Sequence, residues 1–412
     1  METVINNEKN IIQESEPTKD PAFWGICLGH TFTHWYPATF YILLPYLALE
    51  YNFSATQAGL LVTVMYIAKS IASMPIGALT DMTTKKNLLM TISLTLAGIP
   101  FLFMGFANSY LVIMILIIIM GIGNEMWHPA SFSTLSKLYP KQRGFVFGFH
   151  GMAANLGDLL APVIIGAILV SFSWREISYL NIIPGILVGV IIMFMLRKMK
   201  VNSNTNKKKT EEKTSFKDYR EGLGELFKNK AVLLIALASG IRSMTQNGLM
   251  TFLPLYLAIE LSLSPFLVGL YITIMQAGGL IAAPIVGRIS DNTDRRKIIF
   301  SGMIMTSVLV VAVVIIQINW LLIATMAILG FFLYSLRPVM QAWIMSSTKD
   351  KVAGTTTSLL FTTQSVLAAL SPLIGGALAD QYGFQATFYF IAVIILLGNL
   401  VIAFIPKTVE TQ

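Results

Sequence analysis

The sequence predicts an all-α polytopic membrane protein in which 12 transmembrane helices form two pseudo-symmetric six-helix bundles. The 412-residue chain is 55% hydrophobic and 12% charged, whereas soluble domains carry roughly 25% charged residues. Apolar runs of about 20 residues, the length needed to cross a bilayer, recur about a dozen times. The second half of the chain also repeats motifs of the first half. Together these observations predict a core that packs against lipid.

The apolar runs place the helices and divide the chain. They predict helices near residues 23–48, 55–80, 87–107, 110–136, 144–171, 177–198, 231–259, 266–289, 297–317, 320–346, 353–379 and 384–405. The predicted regions are a tail (1–22), a first bundle (23–199), a hydrophilic linker (200–230), a second bundle (231–405) and a tail (406–412). The second half of the linker has the pattern of a short amphipathic surface helix.

Basic residues predict the orientation, because loops on the cytoplasmic side of a membrane are enriched in Lys and Arg. They concentrate in alternate loops and in the linker, and of the opposite loops only one carries a base, Arg175. We therefore expect an integral protein of the plasma (inner) membrane with both termini cytoplasmic. The net charge of +8 follows from this topology and requires no nucleic acid partner.

The repeat has a period of about 210 residues. The segment GALTDMTTKK, which begins at Gly77, returns as GRISDNTDRR from Gly287, and Pro162 returns as Pro372; both pairs are 210 positions apart. Duplicated six-helix units of this kind are typical of transporters whose substrate site lies between the two halves near the middle of the membrane.

The loop after the second predicted helix carries the residues of a known signature. The pattern G-x-L-x-D-x-x-x-[RK]-[RK] is matched at Gly77, Leu79, Asp81, Lys85 and Lys86, and its repeat at Gly287, Asp291, Arg295 and Arg296. Met82 and Thr84 depart from the usual pattern. With these motifs the chain resembles the major facilitator superfamily over nearly its whole length. The resemblance implies a gate that latches the cytoplasmic side, with candidates Gly77, Asp81, Lys85, Arg143, Asp291 and Arg295.

Shorter motifs resemble the fosmidomycin-resistance-like exporters within that superfamily. They are Gly29-His30, Gly121-x-Gly123 followed by Trp127-His128-Pro129, and Phe149-x-Gly151-x-x-x-Asn155-x-Gly157. Ala130 stands where that group tends to carry an acid, and Glu125 lies about one turn earlier. The resemblance implies export of a small molecule by proton antiport.

Ionisable residues at membrane depth are expensive and are therefore candidates for function. Glu125 and Asp158 are the only acids predicted there, and all four histidines lie in predicted helices. The proton-coupling candidates are Glu125, His128, Asp158 and His34. The nearby bases leave a static charge pair open as the alternative role for either acid.

Two imidazoles one turn apart, as at His30 and His34, are also a common half of a metal site. A metal held by these two residues and His128 is the less favoured alternative, because Cys27 is the only thiol and carboxylates are sparse. We expect no metal and no cofactor, with the proton gradient as the driving force.

Three bases predicted in mid-helix favour an anionic or zwitterionic substrate. An Arg side chain offers a two-pronged donor to a carboxylate or phosphonate. The alternative is that Lys69 pairs with Asp158 and that Arg337 pairs with Glu125. The substrate-binding candidates are His30, Lys69, Trp127, Asn155, Arg242, Gln246, Arg337 and Gln364.

These observations predict a proton-coupled secondary transporter that moves a small organic anion or zwitterion by alternating access, with export favoured. Import by proton symport and a non-transporting membrane sensor are the alternatives. The chain has no G-x-x-x-x-G-K-[ST] motif, so ATP is not expected to drive it. No nucleophile–base pair points to an enzyme. The expected partners are the substrate, protons and the lipid bilayer, and one chain is expected to function as a monomer.

Overall fold

A computed structural model describes residues 16–196, 226–316, 319–348 and 353–406. Within these ranges the chain is helical and contains no strand. The helices are α1 Pro21–Tyr51, α2 Ala55–Met82, α3 Lys86–Met104, α4 Tyr110–Leu138, α5 Arg143–Ile168, α6 in two segments (Trp174–Leu180 and Ile182–Leu196), α7 Lys230–Leu255, α8 Pro265–Asn292, α9 Arg295–Ile315, α10 Asn319–Ser346, α11 Ala353–Tyr382 and α12 Phe384–Ala403. The predicted fold class is confirmed. Residues 200–225 of the linker, and with them most of its predicted amphipathic helix, lie outside the described residues.

Ten of these helices are long and apolar enough to cross a membrane. The other two long helices, α1 and α7, have 31 and 26 residues and open the first and second halves of the repeat. Their length suffices to span a bilayer, but polar side chains such as His30, His34, Arg242 and Asn247 interrupt their apolar runs. Their centres meet where the Tyr41 hydroxyl donates to Oδ1 of Asn247 at 2.9 Å.

Local sequence explains why the two halves begin their second helices alike. Ser54 caps α2 by accepting from the backbone N–H of Gln57, whose side chain accepts in return from the N–H of Ser54. Ser264, 210 positions later, caps α8 by accepting from Leu267. One difference is that α7 continues past Leu255 as a π-helical turn, Tyr256–Glu260.

The two halves meet along a seam formed by α2 against α11 and by α5 against α8. A side chain on Gly59 would overlap the carbonyl oxygen of Pro372, and one on Gly269 would overlap that of Pro162. Both residues of the first contact lie 210 positions from their counterparts in the second. The repeat therefore produces the same backbone contact twice, related by pseudo-symmetry.

A second pair of contacts in the seam follows the same rule. The Thr63 hydroxyl donates to the carbonyl of Ala369 at 2.8 Å, and the Thr273 hydroxyl donates to the carbonyl of Leu159 at 2.9 Å. Each donor and each acceptor again has its counterpart 210 positions away. Hydrogen bonds between helices thus lie in equivalent places on both faces of the interface.

One contact has no such counterpart. Asp380, near the end of α11, accepts from the backbone N–H groups of Ala55 and Thr56 at 2.7 and 2.9 Å. A carboxylate at a helix N-terminus accepts from N–H groups that lack partners within the helix, and its negative charge interacts favourably with the helix dipole. Asp380 therefore ties the second half to the start of α2.

These contacts lie at the end of the molecule opposite the linker, which we call the far side; the other end is the linker side. Towards the linker side the halves separate. Side chains added at Gly144, Gly148 and Gly151 on α5, or at Gly287 on α8, would meet nothing within 4 Å. The structure is closed on the far side and open on the linker side.

Candidate functional site

Four histidines from three helices of the first half lie together beside the seam. His30 and His34 are one turn apart on α1, His128 comes from α4 and His150 from α5. The ring centroid of His30 lies 4.9 Å from that of His34 and 5.4 Å from that of His128, and it stacks on His150 at 3.7 Å. The one-turn spacing predicted that His30 and His34 share a face, and the structure adds the other two rings to it.

Two hydrogen bonds orient the histidines of α1. His30 donates its Nδ1–H to the backbone carbonyl of His150 at 2.7 Å. Nδ1 of His34 lies 3.0 Å from Oδ2 of Asp158 and forms an ion pair when the ring is protonated. Each ring is therefore held through Nδ1, and its Nε2 is left to face other groups.

Small residues make these contacts geometrically possible. A side chain at Gly157 would overlap the carbonyl oxygen of Thr31, so α5 can approach α1 closely just before Asp158. A side chain at Gly29 would overlap the ring of Trp127, which packs α1 onto α4 just before His30. The glycines of the short sequence motifs thus set the distances between the helices that carry the polar groups.

The second acid, Glu125, lies on α4 and is partly buried. It lies close to Ser73 of α2 and interacts electrostatically with Lys69, one turn before Ser73. Lys69 also interacts with Asp158, and its ammonium lies 5.5 Å from the centroid of the Tyr66 ring. The amine thus interacts with both acids that the sequence places at membrane depth.

The direct pairs that the sequence left open are not formed among the described residues. No carboxylate lies within 4.0 Å of Lys69, Arg242 or Arg337 there, and Asp158 is bonded to His34 instead. None of the three bases is therefore neutralised by a carboxylate in direct contact within the described part of the chain.

Arg242 is the most buried of the three bases, with only 2% of its surface exposed. Its Nη1 donates to Oε1 of Gln246 at 2.9 Å and its Nη2 to the hydroxyl of Ser243 at 3.2 Å. Its Nε has no hydrogen-bond partner in the described part of the chain. It repels the exposed Arg337, so an anion between them would relieve both charges.

The two halves present their charges to each other. Arg337 of the second half interacts electrostatically with His128 of the first. Tyr334, also of the second half, interacts with Asp158 and Arg242. The polar groups of both repeats therefore form one central site.

A family model for the major facilitator superfamily matches residues 26–258 and 235–412, which together cover most of the chain. The chain belongs to the major facilitator superfamily. The membership agrees with the signature loops, the duplicated six helices and the central polar site described above.

Curated relatives within the superfamily are distant but matched at nearly full length. A "multidrug resistance protein MdtG" of Enterobacter lignolyticus is 23% identical over 82% of this chain and 80% of that protein. The MdtG protein of an Escherichia coli strain is 24% identical over 82% of each chain.

Solved structures share the superfamily fold. A bacterial homologue of the human lysosomal transporter Spinster, in an inward-facing and unoccupied conformation, aligns with a TM-score of 0.79 and 15% identity over 92% of this chain and 95% of that one. A mutant of the nucleoside transporter NupG aligns with 0.77 and 13% identity over 94% of this chain and 100% of that one.

The remaining substrate candidates differ in their accessibility. Gln364 is buried and donates to the hydroxyl of Ser239 at 2.6 Å, close to the turn of α7 that carries Arg242. Asn155 is exposed on α5. Trp127 is fully buried in the core of the first half, so in this conformation it supports the site from behind.

The gating candidates lie at the open, linker-side ends of the helices. Asp81, Lys85, Arg143 and Asp291 are exposed there, and Gly77 is partly buried with free space around it. Arg295 donates to the carbonyl of Ala342 and the hydroxyl of Ser346. Among the described residues no ion pair joins these acids and bases.

Sequence reasoning missed two polar groups of the site. His150 was not among the proton-coupling or substrate-binding candidates, yet its ring stacks on His30 inside the cluster. Ser73 gave no signal of its own, although it lies four residues after Lys69, which places both side chains on one face of α2.

Proposed function

We propose that the protein exports a small organic anion or zwitterion in exchange for protons by alternating access. The observation that carries this proposal is the set of three bases from both halves, Lys69, Arg242 and Arg337, with no carboxylate within 4.0 Å in the described residues. In a site of low polarity an uncompensated cation is costly, so an anionic ligand would be stabilised there. Arg242 would bind it through the free Nε and its guanidinium edge.

The binding of one ligand by both halves also provides the coupling between binding and movement. Lys69 belongs to the first half, whereas Arg242 and Arg337 belong to the second. An anion that bridges them would draw the halves together on the linker side, and its release would let them part. A ligand shifts such an equilibrium only by binding one state more tightly than the other.

Glu125 is our candidate for the proton-coupling residue. Its carboxylate interacts with Lys69 but makes no ion pair with it in the described structure, and Ser73 lies close to it. The ionised carboxylate of Glu125 would accept from the cationic group of a zwitterion whose anionic group lies on the three bases. Its protonation would remove that acceptor, so a proton and the substrate would bind in turn, as exchange requires. His128, three residues later, lies on the same face of α4 and can assist. Asp158 is already bonded to His34, which makes it the second choice.

Export rather than import is supported by the name of the curated relatives and by the short motifs resembling the fosmidomycin-resistance-like exporters. The distribution of basic loops supports an inner-membrane protein with cytoplasmic termini. In that orientation the open linker side faces the cytoplasm, where an exporter must collect its substrate. The two halves together supply one pathway, as expected of a functional monomer.

The test is proton movement in proteoliposomes loaded with a pH-sensitive dye. Phosphonates, carboxylates, zwitterions and lipophilic cations are added in turn to the wild-type protein and to Glu125→Gln. Glu260→Gln is the matched control, because this acid is exposed at the end of the π-helical turn after α7.

We expect an anion or zwitterion to drive proton flux in the wild type and in Glu260→Gln but not in Glu125→Gln. Flux with lipophilic cations alone would refute the argument from charge. Flux that survives in Glu125→Gln and is lost in Asp158→Asn would move the coupling role to Asp158.

A further inference from the structure

We infer that His30, His34 and His128 form a binding site for a divalent transition-metal cation such as Zn²⁺, Co²⁺ or Ni²⁺. One ring nitrogen of each of these residues lies within 4.8 Å of the others. Imidazole is a ligand that suits these borderline cations. The inference is independent of the proposed transport function and differs from the expectation drawn from the sequence, which assigned no metal.

In two of the rings, Nδ1 makes the kind of hydrogen bond that is typical of metal-binding histidines. His30 uses its Nδ1–H on a backbone carbonyl, and His34 uses Nδ1 on the carboxylate of Asp158. A metal-ligating histidine almost always donates its other N–H to such a carbonyl or carboxylate, which fixes the tautomer and orients the ring. Both residues therefore present the unprotonated Nε2, the form that binds a metal.

A buried atom without a partner points to the same site. His30 is 4% exposed, and its Nε2 has no hydrogen-bond partner among the described residues. A buried polar atom left unpaired costs about 1–3 kcal/mol, so a group that satisfies it is favoured. A metal ion bound by this Nε2 would do so.

The spacing requires only a small movement to reach metal geometry. In a tetrahedral site with metal–nitrogen bonds of about 2.0–2.1 Å, the ligand nitrogens lie about 3.3 Å apart. Closing 4.8 Å to that distance needs about 1.5 Å of shared movement by three side chains. Rotation of His34 and His128, which are only partly buried, can supply it.

The surrounding charges predict what occupies the fourth coordination position. Lys69 and Arg337 interact electrostatically with His128, and Asp158 and Glu125 are the acids of the same region. Adding a divalent cation to neutral imidazoles leaves the region more positive. An anionic oxygen donor is therefore favoured over a neutral ligand as the fourth ligand.

The test measures metal binding directly and does not depend on transport. The protein is purified in detergent without a polyhistidine tag and titrated with Zn²⁺ against a chromophoric chelator. Co²⁺ is then added, and its visible absorption reports tetrahedral coordination. Wild type is compared with His30→Ala, His34→Ala, His128→Ala and Asp158→Asn. Two controls are Cys27→Ser, which removes the only thiol, and His150→Phe, which keeps a flat ring stacked beside His30. Size-exclusion profiles and helix content establish that each variant is folded.

We expect one equivalent of Zn²⁺ per chain, a loss of affinity of more than about 100-fold in each ligand variant and of about 10–100-fold in Asp158→Asn. The two controls should bind within a few-fold of wild type. The inference is overturned if the wild type binds no metal, if two folded ligand variants bind as well as wild type, or if Cys27→Ser or His150→Phe loses binding to the same extent as the ligand variants.

Discussion

Replacing Gly166 by alanine should push the closed far side of the protein apart. A Cβ atom on Gly166 would lie 2.6 Å from the carbonyl oxygen of Pro265, which belongs to the other half. Ordinary van der Waals contact begins near 3.4 Å, so the two backbones would have to separate by about 0.8 Å. Because the contact joins backbone to backbone, no flexible side chain can move aside.

The energetic cost falls on only one of the two conformations. Overpacking of this kind costs about 1–3 kcal/mol, and it disappears when the far side opens and the contact is broken. The ratio of far-side-closed to far-side-open molecules should therefore fall about 5–150-fold. Gly376→Ala should act in the same way, since its Cβ would lie 2.5 Å from the carbonyl oxygen of Ala55 in the equivalent contact.

The assay is the distance between spin labels on the far side. In a Cys27→Ser background, labels at Asn108→Cys and Gln385→Cys report on the first and second halves, and both positions are exposed. Gly151→Ala on the same helix as Gly166 is the matched control, because its Cβ would meet nothing within 4 Å. The reasoning is refuted if the label distance in Gly166→Ala stays at the wild-type value, or if Gly151→Ala lengthens it equally.

Three further changes test other contacts. Asp380→Ala removes the acceptor for two N–H groups at the start of α2. Because a lost cap costs about 1 kcal/mol, the ratio of far-side-closed to far-side-open molecules should fall about fivefold, measured with the same spin labels. Gly157→Ala forces α1 and α5 apart and should lower the free energy of unfolding by about 1–3 kcal/mol, and with it the melting temperature. An unchanged melting temperature would contradict the close approach of the two helices. Arg242→Gln should weaken binding of the transported anion more than tenfold in an equilibrium binding assay. Arg242→Lys should restore binding only in part, because Lys lacks the planar guanidinium that can donate two hydrogen bonds to one anion. Wild-type affinity in Arg242→Gln would show that this residue does not bind the anion.

The sequence was most informative where the physical rule is local or periodic. Apolar runs located the twelve helices, and the 210-residue offset predicted two equivalent halves. Spacing of one turn placed His30 and His34 on one face. The same offset makes Gly59 and Gly269 equivalent positions of the two halves.

Contacts across helices could not be read in the same way. Asp158 lies 124 positions from His34 and bonds to it, whereas the sequence was equally consistent with a pair between Asp158 and Lys69. The choice depends on how deeply each residue lies along its helix, and on which helix packs against Gly157. The glycine allows a close approach there but does not specify its partner. The same applies to His150, whose ring reaches His30 only because α1 and α5 pack tightly.

The glycine-to-carbonyl contacts of the seam also bear on leakage. Where backbone touches backbone there is no space for a water molecule, and a continuous file of waters is what a proton would need to cross. The same close contact occurs on both faces of the interface, so it narrows the space for such a file of waters at two places on the far side. A bulkier residue in the seam would therefore do more than alter transport. We expect it to admit water to the closed far side, so that vesicles containing such a variant would leak protons faster than vesicles containing the wild type.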